Sequence, residues 1–259
     1  MKRLVRLADV LAVPVVMGLA YGLLTLEGRP AELPEILIFI AFASVVGIWT
    51  LVRALRTHAI ASRLAAVGDA DELVAFAEAE LGRRLTARSK APFYIYLGLG
   101  HYLRGEWDEA TAALDRCRLA RVRPAWRLLA ASTRLGVLVE RGDGPGARAV
   151  YDRDVAPAAA RMAGPGARLL AVEAEARVKL VEGDHAAAAP MFARMSGDVR
   201  LGPATRATAH LHAARCAEAA GDVEAAAHHR ADAAHLAPGT FVARPPAADA
   251  AAAAAPATA

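Results

Sequence analysis

The 259-residue chain reads as an all-α protein, with an N-terminal two-helix transmembrane hairpin followed by an α-solenoid of about four to five helix pairs. Three observations predict it. Two uncharged apolar runs of membrane-spanning length stand close together near the N-terminus. No later segment alternates apolar and polar residues as a half-buried strand does. A glycine followed by an acidic residue recurs five times at nearly constant spacing, which is the mark of a stacked array.

Composition sets the terms of packing. A 56% hydrophobic content excludes a disordered chain, but Ala supplies 66 of the residues and aromatics only 5%, so burial must come from close approach of small side chains. Basic charge rests on 28 Arg against three Lys, and the net +4 is too modest for this length to point to nucleic acid. Cys117 and Cys216 are far apart, which leaves no disulfide framework and no Cys-based zinc pattern.

The runs Val10–Leu26 and Ile36–Val52 are each 17 residues, about 26 Å of helix, at the lower end of what crosses a hydrocarbon core. Pro14 is tolerated in a membrane helix. The length of the first run, its weak cleavage site and the second run right behind it favour an uncleaved hairpin over a signal peptide. Lys2, Arg3 and Arg6 precede the first run and Arg53, Arg56 and Arg63 follow the second, whereas the loop carries three Glu and one Arg. The positive-inside rule puts both ends in the cytoplasm. The expected organisation is a cytoplasmic N-terminus (1–9), spans at 10–26 and 36–52 around an external loop (27–35), a cytoplasmic repeat domain (53–238) and a disordered Ala/Pro tail (239–259). Gly18 and Gly22 in the first span, and Ala43 and Gly47 in the second, lie four apart and let helix backbones approach closely, within the hairpin or across a homo-oligomer.

The recurring pairs are Gly68-Asp69, Gly105-Glu106, Gly142-Asp143, Gly183-Asp184 and Gly221-Asp222, at intervals of 37, 37, 41 and 38 residues. Five positions after each Gly stands Leu73, Ala110, Ala147, Ala188 or Ala226; nine after stands Ala77, Leu114, Tyr151, Phe192 or Arg230. Gly supplies the left-handed conformation that ends one helix, and the acidic residue favours the first turn of the next. A small residue then lets the two helices of a pair cross closely, and a larger one a turn later fills the groove between them. Such a pair cannot bury its apolar stripe alone, so neighbours stack.

In its second copy the pattern runs Tyr94, Leu97, Gly98, His101, Tyr102, Gly105, Glu106, Trp107, Ala110, Leu114 and Cys117. In order and spacing this resembles the tetratricopeptide repeat, with Tyr94 at the family's Trp position and Cys117 at a small-residue position. The last copy (Ala214, Gly221, Ala226, Ala233, Pro238) is similar, including its closing Pro. The third and fourth copies carry Leu135 and Ala176 where the family has a first-helix Gly. The period exceeds the family's roughly 34 residues, so Gly144-Pro-Gly146 and Gly164-Pro-Gly166 are expected to be turns that absorb the excess. The two-span-plus-repeat layout is also similar to that of HemY-type inner-membrane proteins linked to haem synthesis, a likeness of layout that carries no residue motif.

The resemblance implies that a partner lies along a concave face formed by the first helix of each pair. Carried over position by position, that face comprises Ile95, Leu99 and Tyr102, then Ser132 and Val139, Glu173 and Arg177, Arg215 and Glu218. The Lys/Asn/Arg clamp that some members use for a C-terminal carboxylate has no counterpart here. A face apolar at one end and charged at the other implies an amphipathic helix or mixed peptide as ligand.

Residues that would carry chemistry are scarce. Gly142-Asp-Gly-Pro-Gly146 lacks the Gly-Lys-Ser/Thr ending that meets phosphates and reads as a turn. Both cysteines fall at packing positions. His210, His212, His228, His229 and His235 show no i, i+3 or i, i+4 pair among themselves and are expected to face solvent. Arg116, Arg118, Arg121, Arg123 and Arg127, with Trp126 among them, read as a solvated inter-repeat turn; a lipid-headgroup patch is their second reading. The chain is therefore expected to be no enzyme and to use no cofactor or metal. It is expected to act as a membrane-tethered protein–protein interaction scaffold of a bacterial inner membrane, its partners a protein or peptide and the bilayer, with no nucleic acid. The alternative is a structural subunit of an integral membrane complex in which the hairpin makes the essential contacts.

Overall fold

The computed structural model describes residues 33–83, 87–117, 122–162 and 164–244. These are helical almost throughout, with no strand among the described residues. The first span, the loop as far as residue 32, Gly18, Gly22 and the tail from 245 lie outside them. Contacts divide the chain into two units, Met1–Ile60 and Ala61–Ala259.

Helix α1 (Leu33–Val67), which supplies the described part of the first unit as far as Ile60, begins inside the segment expected to be an external loop, with Pro34 in its first turn, where a missing N–H costs nothing. It does not stop after the second apolar run. Nothing between Arg53 and Val67 breaks a helix, and Gly68 is the first residue that does. Its stretch Ile40–Val67, 28 residues, is long and apolar enough to cross a membrane. Phe42, Val45, Ile48 and Trp49 are exposed, whereas Ala43 and Gly47 are buried.

The second unit is built of helix pairs. Ala61 and Leu64, at the end of α1, share a buried cluster with Leu73, Val74 and Ala77 of α2 (Ala70–Gly82), and α3 (Ala87–Arg104) pairs with α4 (Trp107–Asp115). Helix α5 (Pro124–Glu140) turns into α6 (Gly144–Val150), which runs on through a π turn (Tyr151–Val155) into α7 (Ala156–Arg161). Helix α8 (Pro165–Val181) pairs with α9 (His185–Gly197), and α10 (Pro203–Ala219) with α11 (Val223–Leu236).

Each turn repeats one device. The five glycines of the signature adopt φ between 74° and 84°, the left-handed region that closes a helix. At the second copy the Glu106 amide donates to the His101 carbonyl at 2.9 Å and the Gly105 amide to Tyr102 at 2.9 Å, which satisfies two orphan carbonyls of α3. The carboxylates of Asp69, Asp143, Asp184 and Asp222 each accept an amide of the following first turn, at 2.9–3.2 Å. Glu106 departs from this: its side chain accepts instead from His101 Nδ1 at 2.6 Å. Leu73, Ala110, Ala147, Ala188 and Ala226 are all buried at the pair crossings.

The Gly-Pro-Gly segments are not inter-helix turns. Pro145 and Pro165 occupy the first turns of α6 and α8, where their fixed φ suits the helix, and Asp143 caps the former. The longer third period is taken up by the π turn and α7.

The first and last pairs meet. A Cβ on Gly68 would lie 3.2 Å from Thr240 Cγ2 and 3.3 Å from both Ala204 and Ala237, and one on Gly202 would lie 2.7 Å from the Ala66 carbonyl oxygen. Contact this close needs residues without bulk at the seam. The segment Thr240–Arg244, expected to be disordered, is ordered: Thr240 and Val242 are buried and Phe241–Ala243 forms a 3-10 turn. The reason is its apolar content. Val242 packs with Ala207, Leu211, Ala233 and Ala237, and the Phe241 ring sits 5.4 Å from Tyr102 and 5.0 Å from Trp107.

Candidate functional site

Helices α3, α5, α8 and α10, each the first of its pair, bring their C-terminal halves together, and the close approach at Gly136 permits it. A Cβ there would lie 2.9 Å from Arg177 Nη1 and 3.0 Å from the Tyr102 ring, so any larger residue would have to displace one of them. Around it Arg177 lies over the Tyr102 ring at 5.7 Å and pairs with Glu173 at 2.5 Å. Arg215 reaches Glu140 with both Nη atoms, at 2.6 and 3.3 Å. His212 Nε2 lies 3.7 Å from Glu140 and its ring packs on Phe192, 5.0 Å between centroids.

Two cations face two carboxylates here, so the cluster is balanced in charge. Burial raises the Tyr102 phenol well above its usual range, only partly offset by Arg177. Burial works against the Arg177 charge, but Glu173, Tyr102 and Glu140 together more than reverse it. Burial, reinforced by Arg215 and Arg177, holds His212 well below 6.5 despite the carboxylate beside it, so its imidazole is neutral. Tyr102 Oη, Arg177 Nε, Ser132 Oγ and both His212 nitrogens have no hydrogen-bond partner among the described residues.

The residues carried over from the repeat resemblance divide into three groups. Tyr102, Glu173, Arg177 and Arg215 are brought together in this cluster. Ile95, Ser132 and Val139 are buried, Ile95 with Leu114, Cys117 and Ala130, and Val139 with Leu135, Ala147 and Val178. They are core, so these three side chains are not presented to a partner at the surface. Leu99 is half-buried, Arg215 keeps 35% of its side chain exposed, and Glu218 is exposed and paired with Arg230. Glu140, His212, Gly136 and Phe241 complete the arrangement. No local spacing marks them, because each acts across helices far apart in the chain.

Arg116, Arg123 and Arg127 are exposed, whereas Arg118 and Arg121 lie outside the described residues. Trp126 is not part of an exposed patch; it is half-buried, edge-on to Tyr96 at 5.2 Å. Cys117 and Cys216 are buried, and burial pushes both thiols up, away from the thiolate form. Of the late histidines, His228 and His235 are exposed as expected, His210 and His229 are half-buried, and His212 is fully buried. His212 departs from the solvent-facing expectation because it sits at the junction of α10 with Phe192 and Glu140.

Compared with protein-family models, with curated proteins and with solved structures, the chain matches none of them.

Proposed function

We propose that the protein is a membrane-tethered interaction scaffold. In this reading the helix pairs are a tetratricopeptide-like α-solenoid, and residues 10–26 and 36–52 form a hairpin that holds it at the cytoplasmic face of a bacterial inner membrane. The observation that supports it is the five-fold recurrence, at fixed offsets, of a left-handed glycine, an acidic residue beside it that caps the next helix in four of the five copies, and a buried apolar residue five positions on. That regularity builds a surface from repeated units rather than a pocket around a reaction. The apolar α1 supports the tether, and the flanking arginines support the orientation.

The partner is a protein segment. The inner cluster is buried and balanced in charge by its own ion pairs, so contact falls on the groups at its margin: Leu99, Arg215 and Glu218. Their mixed apolar and charged character suits an amphipathic segment. The scaffold carries no chemistry of its own.

A photo-crosslinking side chain placed at Glu218, and in a second variant at Leu99, tests this in native membranes. The scaffold reading expects a crosslinked partner that is still captured when residues 1–56 are deleted and the remainder is membrane-targeted by a foreign anchor. Capture that depends on residues 1–56 themselves would instead favour the structural-subunit reading.

A further inference from the structure

The last helix pair holds a set of side chains that the scaffold reading does not use. His210 projects from α10, and His229 and Asp232, three residues apart and so on one face, project from α11. Their ligand atoms all lie within 4.8 Å of one another. His210 Nδ1 stands 3.1 Å from His229 Nδ1 and 3.7 Å from Asp232 Oδ2. In a tetrahedral zinc site with bonds of about 2.0–2.1 Å, neighbouring ligand atoms are separated by about 3.4 Å. The two measured edges bracket that value. His228 Nε2 is a further 3.5 Å from Asp232 Oδ2, and His210 and Asp232 line a recess with Ser196, Arg206, His235 and Leu236.

From this convergence we infer that His210, His229 and Asp232 form a zinc-class site that staples α10 to α11, with a water or His228 as fourth ligand. Two imidazoles and one carboxylate suit a borderline transition ion and not the all-oxygen shells of Mg²⁺ or Ca²⁺. The half-buried setting excludes much of the competing water while leaving an entry path through the recess. Arg206 is the opposing feature. Its guanidinium Nε donates to the Ser196 carbonyl oxygen at 3.0 Å, which anchors its charge on α9 and leaves the three ligand atoms facing one another. The alternative for the same geometry is a plain N–H···N bond between the two rings, and the two make different predictions. The inference stands whether or not the scaffold reading holds.

The test uses the full chain, purified in detergent without a polyhistidine tag and stripped with a chelator. Titration with Co²⁺ is expected to give the d–d absorption of a four-coordinate site, saturating at one equivalent and abolished by one equivalent of Zn²⁺. Zn²⁺ is expected to raise the Tm and Mg²⁺ to leave it unchanged. His210→Asn and Asp232→Asn are each expected to lose the Co²⁺ spectrum and at least tenfold in Zn²⁺ affinity, while His185→Asn keeps both. His229→Gln provides a third variant if either of the first two loses its helical circular dichroism. Absence of the Co²⁺ spectrum in the wild type, or its retention in all three ligand variants, overturns the site.

Discussion

Glu140 on α5 and Arg215 on α10 are joined by two hydrogen bonds across 75 residues of chain, and the Glu140 side chain is only 3% exposed. A carboxylate so deep in the protein persists because its partner is fixed there. Truncating one member of a buried pair costs about 3–5 kcal/mol, but the Arg215 head is partly wet, which screens the loss. Arg215→Ala is therefore expected to destabilise the protein by about 2 kcal/mol in urea unfolding. The double variant Glu140→Gln/Arg215→Gln should cost less than Arg215→Ala, because it leaves no buried charge uncompensated. Equal or greater loss in the double variant would mean that the pair does not act as a unit.

His212 makes stability depend on pH. Its folded-state affinity for a proton is depressed well below 6.5, so below that pH the unfolded chain takes up a proton that the folded chain refuses. The stabilisation is complete above the unfolded value and is lost as pH falls toward the folded one, at about 1.4 kcal/mol per pH unit. Neither ring nitrogen has a hydrogen-bond partner among the described residues, so His212→Leu removes this penalty without leaving a broken hydrogen bond. Unfolding free energy measured from pH 7.5 down to 5 should fall less steeply in His212→Leu than in the wild type. Parallel curves would remove His212 as the source.

Gly98 sets two helix effects against each other. Alanine is favoured over glycine inside a helix by about 1 kcal/mol, but a Cβ at Gly98 would lie 2.8 Å from Leu114 Cγ and 3.2 Å from the Ala110 carbonyl oxygen. Overpacking of this kind costs about 1–3 kcal/mol and wins. Gly98→Ala should lower the Tm, while Gly82→Ala, with nothing within 4 Å, should leave it unchanged or raise it. A Tm raised by Gly98→Ala would show that α3 and α4 do not cross as closely as described.

These particulars mark where the sequence is readable and where it is not. The helix-closing glycines and the buried residues five positions on were legible because each is a local requirement: a left-handed φ or a missing side chain at a crossing. The continuity of α1 past Val52 is legible too, in the absence of any breaker before Gly68, because the end of an apolar run bounds a membrane span and not the helix that carries it. The inner cluster was not. Tyr102 with Arg177 and Glu140 with Arg215 pair between helices far apart in the chain, and the spacing within one helix pair carries no information about which distant helices meet. The His210, His229 and Asp232 set was hidden for a similar reason. Spacing among histidines alone misses a set drawn from two helices, and its one local trace is the three-residue step from His229 to Asp232.

The most direct measurement of the account is thiol labelling at Val199, which is 81% exposed on the second unit, while the native Cys117 and Cys216 are buried. With Val199→Cys in intact spheroplasts, a membrane-impermeant maleimide should fail to label the protein until the membrane is permeabilised, and the protein should stay in the membrane pellet after alkaline carbonate. Labelling of intact spheroplasts, or release into the carbonate supernatant, would contradict a scaffold tethered to the cytoplasmic face of the membrane.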